Sequence, residues 1–128
     1  MLRSLCLVVV LAGCGGEPGP DAQLIAVPTQ EPALPLGPAG CPAALLEGTL
    51  VRHVEVGMAV QGDPLLPPSI VVWPHGYVAR DVGGVRQLLD GNGAVVAREG
   101  DLFSAGGGFY PPEDRFIPCG GIEFRAAP

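Results

Sequence analysis

Glycine and proline restrict the fold of this chain more than any other feature of its sequence. The 128 residues include 20 glycines and 15 prolines, which interrupt nearly every window longer than ten residues. Both residues are unfavourable inside a helix, proline by about 3 kcal/mol. Short β-branched runs between such turn residues are typical of strands. The sequence therefore predicts an all-β fold, a small barrel or sandwich of five to seven short strands.

The predicted strands follow one another from residue 46 onward. In the first, Gly48, Leu50, Arg52, Val54 and Val56 share the more apolar face, which is expected to point inward, although Arg52 indicates a bulge or an edge. The clearest unit is a hairpin closed by residues 90–93, which carry Asp, Asn and two Gly. The glycines at 106–108 and 120–121 are expected to mark turns or close strand crossings. The predicted strands are residues 46–56, 70–73, 85–89, 94–98, 102–104 and 122–124.

The N-terminal residues have the pattern of a secretory signal. Arg3 precedes an apolar run at residues 5–11, and small residues follow at Ala12 and Gly13. The uncharged stretch, residues 4–16, is shorter than the ~20 residues that a transmembrane helix needs. We therefore expect this segment to direct export without remaining as a membrane span.

The segment Leu11-Ala12-Gly13-Cys14 resembles the lipobox of bacterial lipoproteins. The resemblance implies that residues 1–13 are removed as a signal peptide and that the Cys14 thiol carries a diacylglyceryl group with palmitate-like chains. The protein would then be lipid-anchored in the cell membrane or the outer membrane, on the extracytoplasmic side. Two or three acyl chains are enough to anchor the protein stably, since each methylene group buried in the membrane contributes about 0.8 kcal/mol. The alternatives are an ordinary signal peptide with a chance cysteine, or a buried helix.

Residues 14–40 are predicted to be the lipidated cysteine and a Pro/Gly-rich linker. Six of the fifteen prolines fall between residues 15 and 40, and proline favours extended polyproline II structure. At ~3.1 Å per residue this stretch would reach roughly 80 Å, so it is expected to act as a spacer before a small β domain at residues 41–128. Within it, the apolar run of residues 24–27 is a candidate edge strand that docks on the domain.

Cysteine use agrees with export. Cys6 would leave with the signal and Cys14 would carry lipid, which leaves Cys41 and Cys119. In an oxidising compartment these two residues have one possible pairing, and the disulfide would close a loop of about 79 residues. Two buried free thiols or a redox pair are the alternatives, and the chain contains no Cys-x-x-Cys motif to favour the latter.

The charge of the chain excludes some partners. All seven basic residues are Arg, against 13 acids, and loss of Arg3 leaves a formal charge of −7. Phosphate recognition requires clustered Lys and Arg, so no nucleic-acid partner is predicted.

A second resemblance rests on turn motifs. The Val-Trp-Pro-x-Gly-Tyr stretch at 72–77, the Leu-Asp-x-x-Gly stretch that begins at 89, and the glycines at 106–108 look like small uncharacterised β domains of exported bacterial proteins. The resemblance covers residues 41–124, implies an OB-like fold and carries no activity. The turn at 96–101 is also similar to turns of lipoyl-type barrels, but those carry an acceptor lysine and this chain has none.

Two sets of side chains are candidate ligand sites. His53 and Glu55 share a strand face, and His75 is a candidate third metal ligand, although the spacing of a metal site is absent and three surface residues explain the pattern as well. Trp73, His75 and Tyr77 alternate in a Pro/Gly loop and are a candidate stacking surface for a sugar or peptide. The commoner role of a lone Trp is core packing, which we favour here.

No catalytic constellation is recognisable, so the sequence predicts neither an enzyme nor a bound cofactor. Ser69 and Ser104, the serines that remain after export, do not lie in a nucleophile-elbow motif. The leading hypothesis is a membrane-anchored binding or interaction module of the cell envelope, with an unknown protein or ligand as partner. The alternatives are a structural or stress-related envelope lipoprotein without a specific ligand, and a metal or small-ligand carrier.

Overall fold

The computed structural model describes residues 23–31, 43–111 and 114–128, and these ranges contain strands and turns but no helix. Among them there is accordingly no helix long and apolar enough to span a membrane. The all-β prediction is confirmed, with eight strands in the described ranges. They are β1 (Leu24–Ala26), β2 (Ala44–His53), β3 (Gly57–Gln61), β4 (Val78–Val82), β5 (Val85–Leu89), β6 (Val95–Arg98), β7 (Leu102–Tyr110) and β8 (Arg115–Arg125).

The strands form two antiparallel sheets of four. The first sheet has the order β1-β4-β5-β6 and the second has the order β3-β2-β7-β8. No ladder in the described ranges joins an edge of one sheet to an edge of the other, so the sheets do not close into a barrel. Of the two predicted architectures, the sandwich is the one that forms, and the barrel prediction is wrong.

The predicted strand at residues 46–56 covers most of β2 and the turn after it, and β2 and β3 form a hairpin. Strand β2 ends at His53, the chain turns, and β3 begins at Gly57, whose φ is +79°. The turn is fixed by the imidazole of His53, whose Nδ1 accepts the backbone N–H groups of Glu55 and Val56. The sequence-based expectation missed β3 because a histidine that closes a turn has no simple sequence signature.

The predicted strand at residues 70–73 does not join a regular ladder. Two of its residues instead make isolated bridges, Val71 to Phe116 and Trp73 to Thr29, and Ser69 just before it makes a third, to Val60. The prolines at positions 67, 68 and 74 have no N–H to donate, which limits the continuous pairing available to the segment. It therefore connects the second sheet to the N-terminal segment rather than extending one sheet.

The hairpin predicted around residues 90–93 is confirmed as β5 and β6. Its turn is closed by the carboxylate of Asp90, which accepts the N–H groups of Asn92 and Ala94. Gly93 takes a φ of +82°, a conformation that favours glycine.

Strands β7 and β8 are longer than predicted because the glycines lie inside them. Gly107 pairs with Pro118, and a side chain at Gly107 would collide with the carbonyl of Ile117 and the ring of Phe116. A register shift between Ala105 and Gly107 accompanies this close approach. Gly107 thus marks a close approach of two strands, and because all three glycines at 106–108 lie within β7 the alternative of a turn is wrong.

The apolar run within the predicted linker docks on the domain, as expected. Strand β1 pairs with β4, with Leu24 opposite Arg80 and Ala26 opposite Val78. Farther along the segment Val27 is buried, and the side-chain amide of Gln30 donates to the carbonyls of Val72 and Pro118. Residues 23–31 are therefore part of the folded body.

The core lies between the two sheets. Its largest fully buried side chains are those of Trp73, Phe103, Phe116, Leu50, Met58, Leu88, Val60 and Val71. The inward face predicted for the first run is correct at Leu50 and Val56, which are buried, and wrong at Arg52, which is exposed, and at Val54, which lies fully exposed in the turn.

Candidate functional site

A groove of about 440 Å³ lies on the outer face of the second sheet. Strand alternation creates its floor, because Leu46, Leu50 and Phe103 point into the core while their neighbours point outward. We call it the outer-face groove. It is lined by Glu47, Gly48, Thr49, Gln61, Gly62, Asp63, Leu102, Phe103, Ser104, Glu123 and Arg125.

The strand register arranges the side chains of the groove in two rows. Glu47 lies opposite Ser104, which lies opposite Glu123, so a hydroxyl stands between two carboxylates. The neighbouring row consists of Gln61, Thr49, Leu102 and Arg125. Adjacent strands lie about 4.8 Å apart, so each row crosses the sheet at right angles to its strands and presents polar groups from several strands to one ligand.

The groove is acidic, with three carboxylates, on Glu47, Asp63 and Glu123, against the guanidinium of Arg125. The carboxylates of Glu47 and Glu123 form no ion pair or side-chain hydrogen bond with another described residue. Their hydrogen-bonding capacity is therefore directed to solvent or to a ligand.

One wall of the groove is a hydrogen-bonded loop. The side-chain amide of Gln61 donates to the carbonyls of Asp63 and Leu66, at 2.8 and 2.9 Å. The Asp63 carboxylate accepts the N–H of Leu65, which fixes the turn. The loop consequently holds the Leu65 side chain 90% exposed to solvent.

The structure places Trp73 in the core rather than on a surface. It is fully buried, with its ring centroid 5.6 Å from that of Phe103 in an edge-to-face arrangement and 6.4 Å from that of Tyr77 in a stacked one. Its indole Nε1 has no hydrogen-bond acceptor among the described residues. Burial, and secondarily the charge of Asp90, raises the pKa of Tyr77. Of the three residues of the candidate stacking surface, only His75 is exposed, and the Trp73 ring is not accessible to a ligand.

The candidate metal ligands are not brought together into a site. His53 uses Nδ1 to hold the β2–β3 turn, while Glu55 is an exposed residue of the same turn and His75 lies in the loop before β4. The described ranges contain no group of three or more His, Cys, Asp or Glu side chains that could hold a metal ion.

Four charged residues form an ion-pair cluster where the two sheets meet. The Arg52 guanidinium donates to Glu99 and to the carbonyl of Gly84, and Arg86 pairs with Asp81 at 2.8 and 3.0 Å. Hydrogen bonds from these arginines lower the pKa of Glu99 and of Asp81 and raise their own. The cluster borders a second depression, of about 400 Å³, which Val54, Glu55 and β1 also line.

Some of the predicted site residues lie outside the described ranges. Cys14 and Cys41 are among these, whereas Cys119 lies half-buried in β8. The lipidation site and the Cys41–Cys119 disulfide therefore stay predictions.

The outer-face groove was not found by sequence reasoning. Alternation in the first predicted strand did put Glu47 and Thr49 on one face, the face opposite the core. Their meeting with Ser104, Glu123 and Arg125 depends on long-range pairing between β2, β7 and β8, and a single sequence carries no direct signal for such register.

Comparison with known proteins gives no relative from which a function could be transferred: the chain matches no protein family, no curated protein and no solved structure.

Proposed function

We propose that this protein is a lipid-anchored binding module of the bacterial cell envelope and that the outer-face groove is its binding surface. The observation that carries the proposal is the row formed by Glu47, Ser104 and Glu123, whose polar groups face solvent along a groove crossing three strands. A sandwich needs only one face of each sheet for its core, so the other face of this sheet is available for recognition.

The shape and charge of the groove define the kind of partner. Its polar groups are spread over two parallel rows, and they suit an extended polar ligand better than a compact apolar one. Its excess of negative charge favours a ligand or protein segment that carries positive charge opposite Glu47 and Glu123.

Photo-crosslinking in the native envelope tests the groove. A photoreactive amino acid at Ser104 is expected to give a discrete adduct, which the Glu47→Lys, Glu123→Lys double variant should lose because the charge is reversed. The same probe at Val95, an exposed residue of the edge strand β6 in the other sheet, is the control. Equal adducts at both positions, or none at Ser104, would contradict the proposal.

The lipid anchor is supported by the lipobox-like segment and tested separately. Intact mass spectrometry of the native protein should show a chain that begins at Cys14 and carries the acylated diacylglyceryl group. The Cys14→Ser variant should lose that mass and leave the membrane fraction. A native product that retains Met1 and an unmodified Cys14 would refute the anchor.

The disulfide belongs to the same proposal, because it requires an oxidising compartment. Intact mass with and without reductant should differ by the two hydrogens that reduction of Cys41 and Cys119 adds. Two thiols that alkylate without prior reduction would show that the pair is not bridged.

A further inference from the structure

We infer that the end of the sandwich that carries Val54 and the Gly83–Gly84 turn faces the lipid bilayer and rests against it. The inference rests on the proposed lipidation of Cys14 and deepens it, since it fixes how the folded body is oriented on the membrane. The partner that contacts this end is then the interface of the lipid bilayer.

The chain between the anchor at Cys14 and the first described residue, Gln23, is short, and we call it the tether. Described structure begins at Gln23 and β1 begins at Leu24, which is paired with β4. Nine residue steps separate Cys14 from Gln23, and at 3.6 Å or less per step they span at most about 32 Å. The composition of residues 15–40 predicts a spacer of roughly 80 Å, but residues 23–31 dock on the sandwich and exclude that reach.

The tether enters the fold at one particular end of the sandwich. Leu24 pairs with Arg80 and Ala26 with Val78, so the antiparallel register directs the chain before Leu24 toward the Gly83–Gly84 turn that follows β4. The β2–β3 turn lies at the same end, because Arg52, near the end of β2, donates a hydrogen bond to the Gly84 carbonyl at 2.9 Å. We call this the anchor-proximal end.

The fully extended tether is barely as long as the sandwich. Strand β2 has ten residues and is about 30 Å long at 3.3 Å per residue. To place the opposite end on the bilayer, the tether would have to run fully extended along nearly the whole sandwich. The short tether therefore selects the orientation in which the anchor-proximal end faces the lipid.

The anchor-proximal end has side chains that suit a bilayer interface. Val54 is fully exposed at the tip of the β2–β3 turn, and Leu24 and Val85 are 59% and 39% exposed. The neighbouring arginines, Arg52 and Arg86, are paired with carboxylates, so this end does not depend on anionic lipid. The anchor-proximal end therefore has an apolar tip, and the arginines beside it are paired with residues of opposite charge.

The orientation can be measured with an environment-sensitive fluorophore on a single introduced cysteine. Val54→Cys reports on the anchor-proximal end. Leu65→Cys, in the loop at the other end of β3, is the matched control, because Leu65 is also an apolar loop residue and is 90% exposed. The lipidated protein is reconstituted in phosphatidylcholine vesicles, and wild-type protein treated with the same label gives the background from native cysteines.

A blue-shifted emission at residue 54 that doxyl-labelled phosphatidylcholine quenches, with neither effect at residue 65, is the expected result. Glu55→Cys, in the same turn, repeats the measurement if Val54→Cys does not fold. Equal quenching at both ends, stronger quenching at residue 65, or none at residue 54 would overturn the inference.

Mass analysis of the same samples separates the two proposals. An acylated Cys14 with an unquenched label at residue 54 would overturn the orientation alone. An unmodified Cys14 would overturn the anchor and the orientation together.

Discussion

The guanidinium of Arg52 and the carboxylate of Glu99 form a two-point ion pair that joins the two sheets. The Nε and Nη2 atoms of Arg52 donate to the two carboxylate oxygens at 3.1 and 2.5 Å. Arg52 belongs to β2 in the second sheet, whereas Glu99 follows β6 in the first. The same carboxylate accepts the backbone N–H of Arg86 at 2.7 Å. The Glu99 carboxylate thus accepts hydrogen bonds from both sheets.

The ion pair between Arg52 and Glu99 should make the stability of the fold depend on pH. The hydrogen bonds from Arg52 and Arg86 hold the pKa of Glu99 below its ordinary value of 4.5. A carboxyl group whose pKa is lower in the folded state than in the unfolded state stabilises the fold at pH values above its unfolded-state pKa. This stabilisation is lost as the pH falls through the folded-state pKa. We therefore expect the difference in unfolding free energy between wild type and Glu99→Gln to be largest near neutral pH. It should shrink progressively below about pH 4.5.

Urea unfolding at a series of pH values measures this difference. Glu47→Gln is the matched control, since the Glu47 carboxylate forms no ion pair with a described residue. Its unfolding curves should follow those of wild type at every pH. A Glu99→Gln difference that stays constant from neutral to acid pH would show that the ionised pair does not contribute.

Trp73 should be among the side chains that matter most for stability. It is fully buried and packs against the rings of Phe103, Tyr77 and Phe124. Truncation of a buried aromatic residue typically costs 3–5 kcal/mol, so Trp73→Ala should lose about that much unfolding free energy. Tyr77→Phe keeps the stacked ring and should change stability by less than about 0.5 kcal/mol. Denaturant unfolding followed by circular dichroism compares the two, and an equal loss in both variants would argue against the core role.

The sequence predicts the class of the fold because glycine, proline and β-branched runs act locally. The β5–β6 hairpin follows from the turn chemistry of residues 90–93, and the alternation around Leu50 gives the correct inward face. Each of these features depends only on neighbours in the chain.

Features that depend on distant pairing were not predictable. The apolar run at residues 24–27 indicates an edge strand, but its pairing with β4 and the packing of Ile25 and Val27 near Gly57 do not follow from the run itself. The outer-face groove requires the register of β2, β7 and β8. Such pairing between distant strands is not encoded in spacing along a single segment.

His53 should contribute to stability as a turn residue rather than as a ligand. Its Nδ1 accepts two backbone N–H groups, from Glu55 at 3.1 Å and Val56 at 3.3 Å. A hydrogen bond of this kind contributes about 1 kcal/mol, so His53→Ala should lose roughly 1–2 kcal/mol of unfolding free energy. His75→Ala, at an exposed position, is the control and should be neutral. Isothermal calorimetry with Zn²⁺ completes the test: saturable binding that His53→Ala abolishes would favour a metal role instead.

The close approach of β7 and β8 at Gly107 leaves no room for a side chain. A methyl group there would collide with the Ile117 carbonyl and lie 3.0 Å from the Phe116 ring, so the two strands must separate to accept it. Overpacking of this kind usually costs 1–3 kcal/mol, and Gly107→Ala should lose about that much, measured by urea unfolding. Gly120→Ala in β8 is the matched control, because a Cβ there would meet no atom within 4 Å. It should be neutral or stabilising by about 0.5 kcal/mol, since alanine reduces the entropy of the unfolded chain. If Gly107→Ala were as stable as Gly120→Ala, the strands could not be as close as they are here.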